Sequence, residues 1–185
     1  MEPIPPLANL GQRIMIMGPS NAGKSTLAVA IGARLGIPVH HIDTFRHLPH
    51  TDWIQRPTKD FHALHQAIVD QPTWILEGNY SEVIPPRIAR ATGIILADDT
   101  LLRRYIRYFR RTLFERERAG ALEGAKDSVK WAMVHWLWHT RHSIAKYRRM
   151  AKESGLPCVF VRHERELNML YEAWGLTRPS IGHDL

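Results

Sequence analysis

Gly18-Pro19-Ser20-Asn21-Ala22-Gly23-Lys24-Ser25-Thr26 satisfies the spacing G-x-x-x-x-G-K-[ST]. Its setting gives the match its weight. Arg13-Ile14-Met15-Ile16-Met17, immediately before it, is a short apolar run that reads as a buried parallel strand. Lys24 to Leu35, immediately after it, reads as a helix closed by Gly36. Strand, glycine-bearing turn and helix N-terminus in that order make a phosphate cradle, because backbone N–H groups can curl around the anion and the helix presents its positive end. Lys24 is then expected to hold the β- and γ-phosphates, Ser25 to offer its hydroxyl to magnesium, and Thr26 to sit near the α-phosphate. The expected cofactors are ATP, or another nucleoside triphosphate, with Mg²⁺.

Strands and helices alternate through the rest of the chain. Ile37 to Ile42 reads as a second strand with Asp43 at its carboxyl end, and Thr44 to Pro57 as a loop over the site. Phe61, Leu64, His65, Ile68 and Val69 recur at helical spacing before Gln71-Pro72 ends the pattern. Thr73 to Leu76 is a third strand running into Glu77-Gly78-Asn79-Tyr80, Ser81 to Ala91 a short helix interrupted by Pro85-Pro86, and Gly93 to Ala97 a fourth strand. Leu101 to Arg118 carries Leu102, Tyr105, Ile106, Phe109 and Leu113 on one helical stripe, with arginines on the remainder. A long helix is expected from about Asp127 to Glu153, a fifth strand over Pro157 to Val161, and a closing helix over Glu164 to Trp174. This alternation implies an α/β fold, a parallel sheet covered by helices on both faces, within one domain spanning 1–185.

Ligands in open parallel sheets lie beyond the carboxyl ends of the strands, which is where Asp43, Glu77 and the pair Asp98-Asp99 fall. Asp98 and Asp99 precede a helix, so capping accounts for at least one of them. Asp43 and Glu77 are left as candidates for magnesium or for an acceptor.

The combination of GPSNAGKST, His41-Ile42-Asp43, Trp74-Ile75-Leu76-Glu77-Gly78-Asn79-Tyr80, Arg87-Ile88-Ala89-Arg90 and the segment LLRRYIRYFRRT resembles bacterial adenylate-kinase-like P-loop proteins. Many of these are described as DNA topology modulation proteins or AAA-family ATPases. The resemblance covers residues 13 to about 113. It implies a three-layer, nucleoside-kinase-like P-loop NTPase fold with strand order 2-3-1-4-5, a magnesium-dependent nucleotide site and an arginine-bearing lid-like segment around 103–150. Asp43 matches the acid that, in related small-molecule kinases, orients or deprotonates the acceptor hydroxyl. Glu77 falls where relatives usually carry Asp in a D-G-N-Y motif beside magnesium-bound water, so it is expected to serve metal and substrate with one methylene more. Asn21 replaces a common Gly and tolerates the left-handed backbone that the loop needs. Ala91-Thr92 replaces the usual Ala-Asp and is expected to matter little.

Of Arg103, Arg104, Arg107, Arg110 and Arg111, at least one of Arg104, Arg107 or Arg111 is expected to reach phosphate, where a cation accelerates transfer. Arg87 is a candidate for an acceptor anion. His135, His139 and His142 stand at helical spacing, yet no carboxylate or cysteine completes a metal site, so packing or a dimer surface is the expectation. His40-His41, His47 with His50, and His62 with His65 are likewise expected to be packing or loop residues.

A chain of 185 residues with 44% hydrophobic content can bury one substantial core. Cys158 is the only cysteine, which excludes an internal disulfide and fits a reducing, cytoplasmic setting. Met1 to Gly11 shows no secretory pattern, and Trp131 to Trp138 is too short and polar for a bilayer. The net charge of +7 favours polyanions without choosing between nucleotide and nucleic acid. The expectation is a phosphotransferase acting on a nucleotide or other small molecule. A nucleic-acid-associated ATPase and a regulator without turnover are the alternatives, and a homodimer is left open.

Overall fold

In the computed structural model, residues 3–51, 53–114, 131–139 and 144–179 are described. Five strands, β1 (Arg13–Met17), β2 (Val39–His41), β3 (Trp74–Glu77), β4 (Gly93–Ala97) and β5 (Cys158–Val161), form one parallel sheet in the order β2-β3-β1-β4-β5. The crossover helices are α1 (Lys24–Leu35), α2 (Ile42–Arg46), α3 (Thr58–Val69), α4 (Ile84–Arg90), α5 (Leu101–Phe114), α6 (Trp131–His139) and α7 (Ile144–Glu153), and α8 (Glu164–Ala173) follows β5. The expected architecture and strand order are the ones observed.

Strand alternation divides the core. Ile14, Ile16, Ile75, Ile95 and Val159 pack with Leu27 and Ile31 of α1 and with Leu167 and Leu170 of α8. Met15, Met17, Leu76, Ile94 and Leu96 turn to the other face, against Phe61 and Val69 of α3, Ile84 of α4, and Tyr147 and Ala151 of α7. Both faces of the sheet are thereby shielded, which is why Ile14 to Met17, Trp74 to Leu76 and Gly93 to Ala97 of its central strands are apolar. The chain moves to one side of β1 through α1 and to the other through α4, so the crevice at the carboxyl end of β1 is a topological switch point.

Local details differ from the sequence expectations. β2 ends at His41, and Asp43 lies in the first turn of α2, inside the stretch expected as strand end and loop. Beyond α2 the chain folds back on itself, with His47 bridged to Gln55 and the Leu48 N–H donating to Ile54 O at 2.8 Å. Thr92 is structural: its hydroxyl donates to Leu10 O at 2.7 Å and accepts from the Arg13 N–H at 2.9 Å. On α5, Leu102 is 70%, Ile106 56% and Phe109 39% exposed, while Arg104 and Tyr108 face the body. Of the lid-like segment and the expected long helix, residues 115–130 and 140–143 lie outside the described residues; α5 from residue 103, α6 and α7 are the described parts.

Gly93 opens β4 directly beneath Leu10, and a Cβ there would come within 2.7 Å of Leu10 Cβ and carbonyl oxygen. Gly93→Ala is expected to lower the unfolding free energy by about 1–3 kcal/mol through overpacking. Urea denaturation checks this, and an unchanged midpoint would contradict the packing described.

Candidate nucleotide and acceptor site

Gly18 leaves β1 with φ near +140°, and an added Cβ would lie 1.8 Å from the Ala97 carbonyl oxygen. Only glycine fits there, so the loop begins pressed against β4. Asn21 (φ 64°) and Gly23 (φ 86°) adopt left-handed backbone, and Asn21 does so in keeping with the tolerance expected of it. The Asn79 side chain fastens the loop to the end of β3: its Oδ1 accepts from the Gly18 N–H and its Nδ2 donates to Gly18 O, both at 3.0 Å.

Glu77 lies beneath the loop, almost fully buried. Ser25 Oγ donates to its Oε2 at 3.0 Å, His41 Nδ1 meets the same oxygen at 3.0 Å, and Lys24 Nζ stands 3.5 Å from Oε1. Burial by itself pushes the Glu77 carboxyl up, but the Lys24 charge and the hydrogen bonds from His41 and Ser25 outweigh it and hold the carboxyl at about 2. Lys24 also donates to Pro19 O at 3.0 Å, which curls its side chain back over the loop. His41 was expected to be a packing residue. The parallel register that sets it opposite Glu77 brings it into the site, and its place at the carboxyl end of a strand beside an acidic strand end was the available signal.

Asp43 and Tyr80 form the neighbouring half. The Tyr80 hydroxyl donates to Asp43 Oδ1 at 2.5 Å. Burial first, then the charge and hydrogen bond of Asp43, raise the Tyr80 hydroxyl far above its usual range, and Glu77 adds to the shift. Tyr80 thus remains a donor, within the electrostatic reach of both carboxylates. Its φ of 38° is uncommon for an aromatic residue and belongs to the turn that follows β3. Phe61 flanks the Tyr80 ring at 5.8 Å and carries the Arg46 guanidinium over its own face at 4.9 Å.

Arg87 departs from the expectation of an acceptor ligand. Fully buried, it donates through Nε to Val83 O at 3.2 Å, through Nη1 to Gly78 O at 2.8 Å and through Nη2 to Asn79 O. Its guanidinium is occupied by the carbonyls that the turn leaves unpaired, so it shapes the turn bearing Asn79 and Tyr80 instead of facing a ligand. Desolvation lowers its pKa to about 9. His65 is buried beside it in the Phe45–Phe61 cluster, where burial, then Arg87 and His62, lower its pKa to about 4 and keep the ring neutral.

The α5 arginines grip the phosphate loop by its backbone. Arg104 Nε donates to Ser20 O at 2.9 Å, and Arg107 Nη1 donates to Asn21 O at 3.1 Å while its Nη2 pairs with Asp99 Oδ2 at 2.7 Å. Arg103 pairs with Glu164 at 2.8 Å. The Arg111 side chain and His142 lie outside the described residues. Asp98 accepts from the Asp99 N–H and Asp99 from the Thr100 N–H, each at 2.8 Å, ahead of the first residue of α5. Thr26 follows Ser25 in the first turn of α1.

No protein-family model matches the sequence, and no curated protein matches it. Solved structures do. A sugar kinase from Janibacter sp. shares 13% identity over 88% of this chain and 91% of that chain, with a TM-score of 0.52. A gluconokinase from Sinorhizobium meliloti shares 15% identity over 90% and 91%, with a TM-score of 0.52. Shikimate kinase from Acinetobacter baumannii, in complex with shikimate, shares 12% identity over 89% and 92%, with a TM-score of 0.53. The fold is therefore that of P-loop kinases. Among the described residues, no helix is long and apolar enough to cross a membrane.

Glu77 ties stability to acid. Its carboxyl is held at about 2 against 4.5 ordinarily, so its contribution, about 3 kcal/mol, is complete above pH 4.5 and is lost as the pH falls toward 2. Urea unfolding of the wild type and Glu77→Gln between pH 7 and pH 3 is expected to show a shallower acid dependence in the variant. Parallel curves would overturn the assignment.

Proposed function

We propose that this chain is a phosphotransferase that takes a phosphoryl group from a magnesium nucleoside triphosphate and delivers it to the hydroxyl of a small molecule. The arrangement that carries this reading is the meeting of two carboxylates at the switch point: the buried Glu77 with Ser25 and Lys24 under the loop from Gly18 to Thr26, and the partly buried Asp43 held by Tyr80 beside it. In the finer resemblance this is the adenylate-kinase-like type of P-loop protein, one domain with a lid-like segment around 103–150.

The residues present suit the cofactor. The segment from Gly18 through Pro19, Ser20, Asn21, Ala22 and Gly23 to Thr26 leads from β1 into α1 with Asn21 and Gly23 in left-handed backbone, a conformation that lets successive N–H groups cradle an anion. The Ser25 hydroxyl and the Glu77 carboxylate are hard oxygen donors of the kind magnesium takes. A bound magnesium nucleotide supplies the transferable phosphoryl group with part of its charge neutralised. Lys24 would hold the β- and γ-phosphates. Ser25 and Glu77 would hold the metal, with His41 fixing the longer Glu77 side chain. Asp43 receives the proton of the acceptor hydroxyl, with Tyr80 keeping its carboxylate in place. Arg104 and Arg107 brace the loop at Ser20 and Asn21, within the segment whose arginines are expected to meet transferred phosphate.

The alternative of a nucleic-acid-associated ATPase draws on the net charge and the arginine-rich helix. Three of those arginines, Arg103, Arg104 and Arg107, have partners within the protein, which leaves α5 a smaller basic surface than its sequence offers.

Nucleotide consumption is expected to rise when one hydroxylated metabolite from a panel is added, and to be lost in Lys24→Ala. Asp43→Asn is expected to lower kcat by about 10²–10⁴ with nucleotide binding retained. Magnesium-dependent hydrolysis that no metabolite stimulates, but that DNA or RNA stimulates at low salt, would replace this reading with the alternative.

A further inference from the structure

His135 and His139 are one helical turn apart on α6, and both are exposed. Their Nε2 atoms face each other at 2.8 Å, with ring centroids 4.0 Å apart and planes at 60°. Leu137, fully buried, anchors the opposite side of the helix, so the pair is held outward. Trp131, 83% exposed, precedes His135 by one turn, and Trp138, 51% exposed, adjoins His139.

Two exposed imidazoles have water as an alternative partner at every nitrogen, so turning two Nε2 atoms toward each other confers little stability in water. The same geometry is what a shared metal ion requires. We propose that His135 and His139 form a two-histidine site for a divalent transition-metal ion of the copper(II) or nickel(II) type, separate from the magnesium nucleotide site.

The distance matches one coordination geometry. Nitrogens about 2.05 Å from a common metal and 2.8 Å from each other subtend about 86° at that metal. This is the cis angle of square-planar or tetragonal coordination, the arrangement of copper(II) and nickel(II) with nitrogen ligands. Tetrahedral zinc would need the nitrogens about 3.3 Å apart. Both rings bind through Nε2 as neutral imidazoles carrying their proton at Nδ1, so the ring that donates through Nε2 in the metal-free pair moves that proton to its own Nδ1 through solvent as the ion enters. Water completes the coordination on the exposed side.

The two tryptophans provide the readout, because copper(II) and nickel(II) quench indole fluorescence at short range. Titrating the full chain with Ni²⁺ or Cu²⁺ is expected to give saturable quenching at one ion per chain. His135→Ala and His139→Ala are each expected to weaken the saturation by about tenfold or more, since each removes one arm of a chelate. Both side chains are exposed, and far-UV circular dichroism confirms that the variants keep the fold. The copper(II) paramagnetic resonance spectrum is expected to show two equivalent imidazole nitrogens. Quenching that survives in the double variant, quenching that does not saturate, or tighter binding of Zn²⁺ than of Ni²⁺ would each overturn the proposal.

Discussion

A carboxylate withdrawn from water has to be surrounded by donors, and Glu77 is withdrawn at the point where three parts of the chain converge. Its donors come from separate elements: Ser25 and Lys24 from the start of α1 and His41 from the end of β2, while Glu77 itself ends β3. Satisfying one charge therefore sets the phosphate loop against two strands at once. Removing any donor leaves the others facing a charge that burial disfavours. This is a stronger constraint on the loop than its glycines, which permit its shape without holding it.

The turn after β3 extends that constraint to the second half of the site. Arg87 donates to the carbonyls of Gly78 and Asn79 from below, Asn79 pairs with both main-chain groups of Gly18, and Tyr80 reaches Asp43. A buried guanidinium is costly to desolvate, and it is retained here where several carbonyls would otherwise lack donors. The strained backbone at Tyr80 is accommodated because its neighbours on either side are fixed. The phosphate loop and the Asp43 carboxylate are thus linked through one short segment, Gly78-Asn79-Tyr80, so a shift at one is transmitted to the other.

Helix α5 illustrates how electrostatics can override amphipathic patterning. Leu102, Ile106 and Phe109 share a helical stripe that is exposed, and the helix turns Arg104 and Tyr108 inward. The carbonyls of Ser20 and Asn21 receive donors from outside the loop, from Arg104 and Arg107. A charge-assisted hydrogen bond to a loop carbonyl is worth more than the burial of one partly covered side chain.

The sequence by itself determined the class of the fold and the first half of the site. Apolar runs at strand length alternate with helical periods, and Gly18 to Thr26 stands between a strand and a helix, so the phosphate cradle follows from local pattern and chain order alone. Tertiary structure decided the identity of the partners. The pairing of His41 with Glu77 depends on strand register, the conversion of Arg87 from a ligand candidate into a structural clamp depends on which carbonyls the turn leaves open, and the facing of Asp43 and Tyr80 depends on where β2 gives way to α2. The first and the last of these join residues far apart in sequence, and a linear pattern carries no record of which donor meets which acceptor.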